Sequence, residues 1–393
     1  MKSLLLASVG PLALACTAFI SAALPARAQI ALSTNDNKLV LENGQARAVR
    51  NAAPDTLSVI DLSASPPVVR AEIPVPASVV GPPLSVALTP DERLALVTAN
   101  QVPDPANPGR TVPGSSISVV DLAANPPKVI ATVQTGAGPA GVSINRAGTM
   151  ALVANRAEGT VSAYRIHGQE VSPLGKVEIG PAASLVSHVA FTTDGRHALV
   201  TRYGDHRLDV LRIEGDKVTK TDREMTPGVQ PYGLAMTPDG HWAVVANIGR
   251  GTGDADTVSL VDLSQEPFRI VDTVSVGQTP EGIMTAPDSR HVAVTVMNGS
   301  NKPQGSPFHG QGLVKLLRIE NGRLFVVSQA PVGTWSQGAA FSPDGRTLLV
   351  GNMVEKNISV LRVGEDGMLT DTGTHLTVSG GSAALRTAER PAR

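Results

Sequence analysis

His188 stands fourteen residues before Arg202, and Arg202 opens the run Arg202-Tyr203-Gly204-Asp205-His206-Arg207. An imidazole exchanges protons near pH 7, and a guanidinium holds a carboxylate or phosphate at two points. A segment with both could do acid–base work or bind a small anion. Tyr232, Glu281 and Gln337 join the set because each directly precedes the residue that corresponds to His188 in its own repeat. They are expected either at the mouth of a central channel, where Glu281 could act as a base or pair with an arginine, or as solvated rim residues.

Repeats must position these residues. Six segments share one design: Leu84–Asn100, Ala140–Asn155, Ser187–Arg202, Tyr232–Asn247, Glu281–Val296 and Gln337–Asn352. In each, an apolar run enters a turn related to Pro-Asp-Gly, and a second apolar run leaves it. Pro presets φ, Asp caps the turn and Gly accepts positive φ, so each unit opens with a hairpin of strands A and B. A third strand, C, follows in most units, as in Thr257–Leu263 and Ser116–Leu122, and a fourth, D, as in Ile270–Val276 and Val129–Val133. Four short antiparallel strands recurring about every 45–55 residues make an all-β propeller. No segment keeps a helical period beyond the first residues.

The two ends complete the ring. Lys38–Asn43 resembles a strand B, Thr56–Leu62 a strand C and Val68–Val75 a strand D, with no strand A before them. Gly380–Thr387 resembles a strand A with nothing after it. Joining the two predicts a seven-bladed β-propeller of four-stranded antiparallel blades, its ring closed by one C-terminal strand beside three N-terminal strands. Such closure removes an open sheet edge. The alternative is a six-bladed ring with a frayed N-terminus.

Residues 1–28 read as a secretory signal peptide: Lys2, an apolar stretch Leu4–Ala23, and Ala26-Arg27-Ala28, which sets cleavage after Ala28. Residues 29–393 are then a single propeller domain, periplasmic or secreted, with no membrane span in the mature form. A retained anchor is one alternative. Lipidation of Cys16, the only cysteine, is another, although Ala13-Leu14-Ala15 is a poor lipobox. A mature chain without a thiol excludes disulfides, thiol catalysis, zinc–thiolate sites and c-type haem attachment. A net charge of -1, evenly spread, and 3% aromatic residues exclude a nucleic-acid-binding stripe. There is no phosphate-binding glycine loop and no nucleophile elbow, so no cofactor is expected. Asp254-Ala-Asp256 lacks the further oxygen ligands of a calcium loop, and no metal is expected either. A monomer is the expected state.

Strand direction alternates, so the start of strand A, the end of strand B and the B–C and D–A loops share one face. Three long B–C loops, 101–114, 248–256 and 298–312, make that face the place for a ligand or partner, unless they are functionless insertions. Comparison among the repeats singles out one blade, 183–228. Where the others carry Ser85, Gly141, Gly233, Gly282 and Gly338, it carries His188. Where strand B commonly ends in Asn100, Asn155, Asn247 or Asn352, it ends in Arg202. His188 could alternatively be a histidine hydrogen-bonded to backbone at the channel. His197, His241 and His291 follow the turns on the opposite face and are expected to be exposed. His309, in the longest loop, could reach over the channel.

The succession of Pro-Asp-Gly, Val-Ala-Asn and Thr-Val-Ser-x-x-Asp-Leu resembles the YVTN-type β-propellers, which are similar in turn to lactonase-like propellers, over essentially the whole mature chain. YVTN-type members are often exported and without an established reaction. Lactonases hydrolyse or close sugar and dicarboxylate lactones without a cofactor. Ser187-His188-Val189-Ala190-Phe191 resembles the lactonase stretch with a central histidine, and Gly204-Asp205-His206-Arg207 resembles a diverged Gly-x-Asp-Arg. By that likeness His188 and Arg207 would contact substrate, with Glu281 as a carboxylate. The Arg-His pair that lactonases carry before the next strand A is replaced here by Gln230-Pro231-Tyr232.

The leading expectation is therefore an exported binding module. It would hold a small anionic ligand or a partner protein on the face with His188, Arg202, Tyr203, Asp205, His206, Arg207, Tyr232, Glu281 and Gln337. A cofactor-free lactonase or lactonising enzyme acting on a lactone in the same pocket is the second. The third is a propeller subunit of a periplasmic redox complex. An enzyme predicts His188, an arginine and a carboxylate converging within hydrogen-bond reach. A protein-binding role predicts a broad, partly apolar rim of loops.

Overall fold

A computed structural model describes residues 29–389. The side-chain period of two sets the architecture. In the strand Trp242–Asn247, Ala243 and Val245 pack against one neighbouring blade, whereas Val244 and Ala246 pack against the other. Strands apolar on both faces must be covered on both faces, and a ring of sheets does this without remainder. Seven such clusters seal the seven interfaces between blades. Each fully buried Val or Leu contributes about 1.5–3 kcal/mol.

Seven sheets of four antiparallel strands each make the blades, and two two-stranded hairpins stand outside them. Numbered in chain order, blades 1 to 6 begin with the inner strands Val86–Leu88, Pro139–Ile144, Val186–Phe191, Pro231–Met236, Pro280–Thr285 and Ser336–Phe341. Blade 7 orders Gly381–Thr387, Ile30–Asp36, Thr56–Asp61 and Val68–Pro74 from the channel outward, so the C-terminal strand closes the ring as the repeat count predicted. The turns follow their chemistry. Thr237 Oγ1 donates to Asp239 Oδ1 at 2.5 Å and accepts from the Trp242 amide at 3.0 Å, and Gly240 takes φ +81°.

One assignment differs. Strand B of blade 7 is Ile30–Asp36, not Lys38–Asn43. Its Asn35 donates to Thr56 Oγ1 and Ser58 Oγ, as Asn247 does to Thr257 and Ser259 in blade 4. Leu39–Glu42 instead pairs with Gln45–Ala48 through Asn43-Gly44, both at positive φ. That Asn-Gly turn is the favoured hairpin connection, and the hairpin rises from the B–C loop of blade 7. The residues assigned to the signal peptide, Cys16 included, lie outside the described residues. Among those described, no helix is long and apolar enough to cross a membrane.

Candidate functional site

His188 lies on the inner strand of blade 3 and is fully buried. Its amide donates to Thr201 Oγ1 at 3.0 Å, but neither ring nitrogen has a hydrogen-bond partner in the protein. The backbone hydrogen bond considered for the ring is therefore not made. The ring presses on blade 2, where a Cβ at Gly141 would stand 2.1 Å from Nδ1. A glycine and the large side chain that replaces it in the next repeat are thus spatial complements. Burial, with help from the charge of Arg386, holds the imidazole well below its ordinary pKa, so it is neutral at pH 7.

Arg202 is committed elsewhere. Its guanidinium meets Asp205 (Nε–Oδ1 3.1 Å), Asp209 (3.3 Å) and Glu224 (2.9 Å). Asp209 is wholly buried and occupies the strand C position of Ser162, Ser259 and Ser359. The Asn–Ser pair of blades 2, 4, 6 and 7 has become an Arg–Asp pair here, between strands B and C. Asp205 also accepts from Ser184 Oγ at 3.1 Å. Arg207 is half-exposed at the rim, where it donates to Thr226 Oγ1 at 2.7 Å. His206 takes φ +62° and accepts the Gln230 amide at 3.1 Å through Nδ1.

Tyr203 and Tyr232 do come together, with ring centroids 5.6 Å apart. The Arg156 guanidinium covers both, at 4.5 and 5.5 Å, and bonds Ser187 Oγ and the Leu185 carbonyl. Arg156 was not among the expected residues. The available signal was a charged side chain in the first position after a strand B, where other blades have Gln101, Ile248, Met297 and Met353. Tyr232 is buried, which pushes its phenol well above the ordinary 10, and its oxygen meets the Gly81 amide. Glu281 and Gln337 are also buried and bonded to one another, Nε2 to Oε2 at 2.6 Å. Burial raises the Glu281 carboxyl to about 8 against the lowering effect of Gln337, so it too is neutral at pH 7.

The loop-face end of the ring is covered. Leu39 of the N-terminal hairpin, Val79, Met297, Trp335, Met353 and Ala383 form one buried apolar cluster drawn from blades 1, 5, 6 and 7. Phe308 lies against Gly253, and Lys302 Nζ donates to the Gly251 carbonyl at 2.6 Å, joining loops 248–256 and 298–312. Pro303 meets Gly44 at the hairpin tip, and Arg50 meets Gly109 of loop 101–114. The three long loops and the hairpin thus form a continuous arc. Val80, Val229, Phe308 and Val354 are exposed on that face.

The remaining histidines divide. His241 is exposed near Asp239, as expected, whereas His291 is only 18% exposed, held 2.6 Å from Asp288. His197 is buried, not exposed, because Phe268 packs edge-on against it at 5.3 Å. His309 is exposed and turned back on its own loop, 3.0 Å from the Lys302 carbonyl. Asp256 accepts the Thr279 amide at 2.9 Å, whereas Asp254 accepts from Thr252 at 2.8 Å. Among the described residues, no three His, Cys, Asp or Glu side chains gather as a metal site would require.

No protein-family model matches the chain, and no curated protein sequence does either. Solved structures do. A putative 6-phosphogluconolactonase from Bacteroides uniformis superposes with a TM-score of 0.70 at 16% identity, over 92% of this chain and 100% of that one. The periplasmic gluconolactonase of Pseudomonas aeruginosa gives 0.66 at 18% identity, over 92% and 99%. Kuenenia stuttgartiensis hydrazine synthase gives 0.57 at 20% identity, over 73% and 78%. At these identities the likeness is one of fold alone, that of the β-propeller.

Proposed function

We propose that this chain is an exported, YVTN-type binding propeller that docks a partner protein on its B–C/D–A loop face. The carrying observation is the continuous loop arc with Phe308 exposed on it, and with Val80, Val229 and Val354 exposed in other loops of the same face. Scattered apolar residues need no explanation, but four on the loop face of the ring fit the partly apolar rim of an interface. Arg207, half-exposed and only loosely paired with Glu224 at 3.7 Å, supplies a cation for an acidic side chain of the partner. Tyr203 and Arg156 extend the same edge. Export is read from Lys2, Leu4–Ala23 and Ala26-Arg27-Ala28.

Lactone chemistry fits this arrangement less well. The groups it would draw on are separated: His188 has an unbonded ring, Glu281 is bonded to Gln337, Arg202 is held by three carboxylates and Arg207 sits at the rim. In the proposed reading His188, Arg202, Tyr232, Glu281 and Gln337 support the face rather than touch a ligand.

Immobilised mature protein and its Phe308→Asp/Val354→Asp variant, exposed to extract from the source cells, test the reading. The wild type is expected to retain one protein stoichiometrically and the variant to lose it. Equal retention by both would overturn the docking face. Turnover of aldono- or dicarboxylate lactones that disappears in His188→Ala would replace it with the enzyme reading.

A further inference from the structure

At the opposite end of the channel, among the A–B turns, lies a cavity of about 270 Å³. One side is apolar: Leu234, Met236, Met284, Phe341 and the turn prolines of blades 4, 5 and 6. The other carries Arg146, Arg386 and Glu389. Arg146 occupies the turn position filled by Pro90, Pro238, Pro287 and Pro343 in other repeats. It reaches from blade 2 to blade 4, where Nη2 donates to the Pro238 carbonyl at 2.6 Å. Arg386 comes from the strand that closes the ring. Its side chain is only 6% exposed, and Nη2 donates to Glu389 at 2.9 Å. The Nε–H groups of both arginines are buried and have no acceptor in the protein.

Arg386 is thus paired with Glu389, and Arg146 lies in the field of Glu389 and Asp239, both beside an apolar wall. Buried N–H donors left unmet are costly unless an acceptor meets them, and beside two cations an anion is the acceptor that fits. We propose that this cavity binds a small monocarboxylate with an apolar aliphatic or aromatic body. The carboxylate accepts from the arginine Nε–H groups, and charge-assisted bonds of this kind are among the stronger ones. The body packs on Phe341 and on Met236 and Met284, whose unbranched chains adapt to irregular shapes. A bare phosphate would satisfy the arginines but leave the apolar wall without a partner. This site lies on the face opposite the loop arc and does not rest on the docking reading.

Calorimetric titration of the mature protein with benzoate, hexanoate, benzamide and inorganic phosphate tests the proposal. At least one of the two acids is expected to bind saturably, with benzamide and phosphate about tenfold or more weaker. Arg146→Gln, a change at a half-exposed turn, should weaken the acid about tenfold or more, and Met284→Trp should abolish binding by filling the cavity. Arg165→Gln, at an exposed position outside both sites, should leave it unchanged. Absence of saturable binding by both acids would overturn the proposal. So would equal affinity for benzoate and benzamide, equal affinity for benzoate and phosphate, or undiminished binding by folded Met284→Trp.

Discussion

Glu281→Gln should stabilise the propeller, and by an amount that grows with pH. The buried carboxyl titrates near 8 in the fold, against an ordinary value of 4.5. Between those values the folded chain keeps a proton that the unfolded chain has released. Stability from this group is therefore complete below pH 4.5 and is lost as pH climbs to about 8. At about 1.4 kcal/mol for each pH unit, the wild type gives up ~3 kcal/mol by pH 7 and ~5 kcal/mol by pH 8. Glutamine has the same shape, cannot ionise, and still offers an oxygen to Gln337 Nε2. Urea unfolding of both proteins at intervals from pH 5 to 9, followed by tryptophan fluorescence, measures the gap. The variant should gain on the wild type through pH 8 and then run level with it. Parallel curves across that range would refute the burial of an uncompensated carboxyl at this position.

Two further changes probe the odd blade. Gly141→Ala should cost about 1–3 kcal/mol by overpacking against the His188 ring, and His188→Gly in the same chain should recover most of it; unfolding midpoints of the two single variants and the double decide. Arg202→Asn should cost about 3 kcal/mol by leaving the buried Asp209 with only Lys220, 3.6 Å away, and adding Asp209→Ser should restore the Asn–Ser pairing seen in blade 4; no recovery in the double variant would mean that Arg202 does not act through Asp209.

The ring was legible because repetition is a long-range signal carried in local sequence. Six copies of one hairpin and two unmatched ends leave few ways to close a sheet ring. The N-terminal strand B was misplaced because Leu39–Glu42 also alternates as a strand does. The Asn that marks the end of strand B was present at Asn35, and Asn43-Gly44 marked a hairpin of its own. The odd blade was equally legible: both of its departures from the repeat are real and both are buried.

What sequence comparison does not reveal is what a departing residue faces. His188 answers a glycine one blade away and Arg202 answers Asp209 one strand away, so each departure has a local spatial complement. Arg146 likewise departs from its repeat by replacing a turn proline. Only its reach across the channel toward Pro238, and the arrival of Arg386 from the closing strand, make a cavity of it. Residue types, turn chemistry and a period of two determine the strands, the blades and their number, because those depend on neighbours within a few positions. The meeting of residues 146, 386 and 389 depends on the curvature of the closed ring, and that exists only once all seven blades are packed.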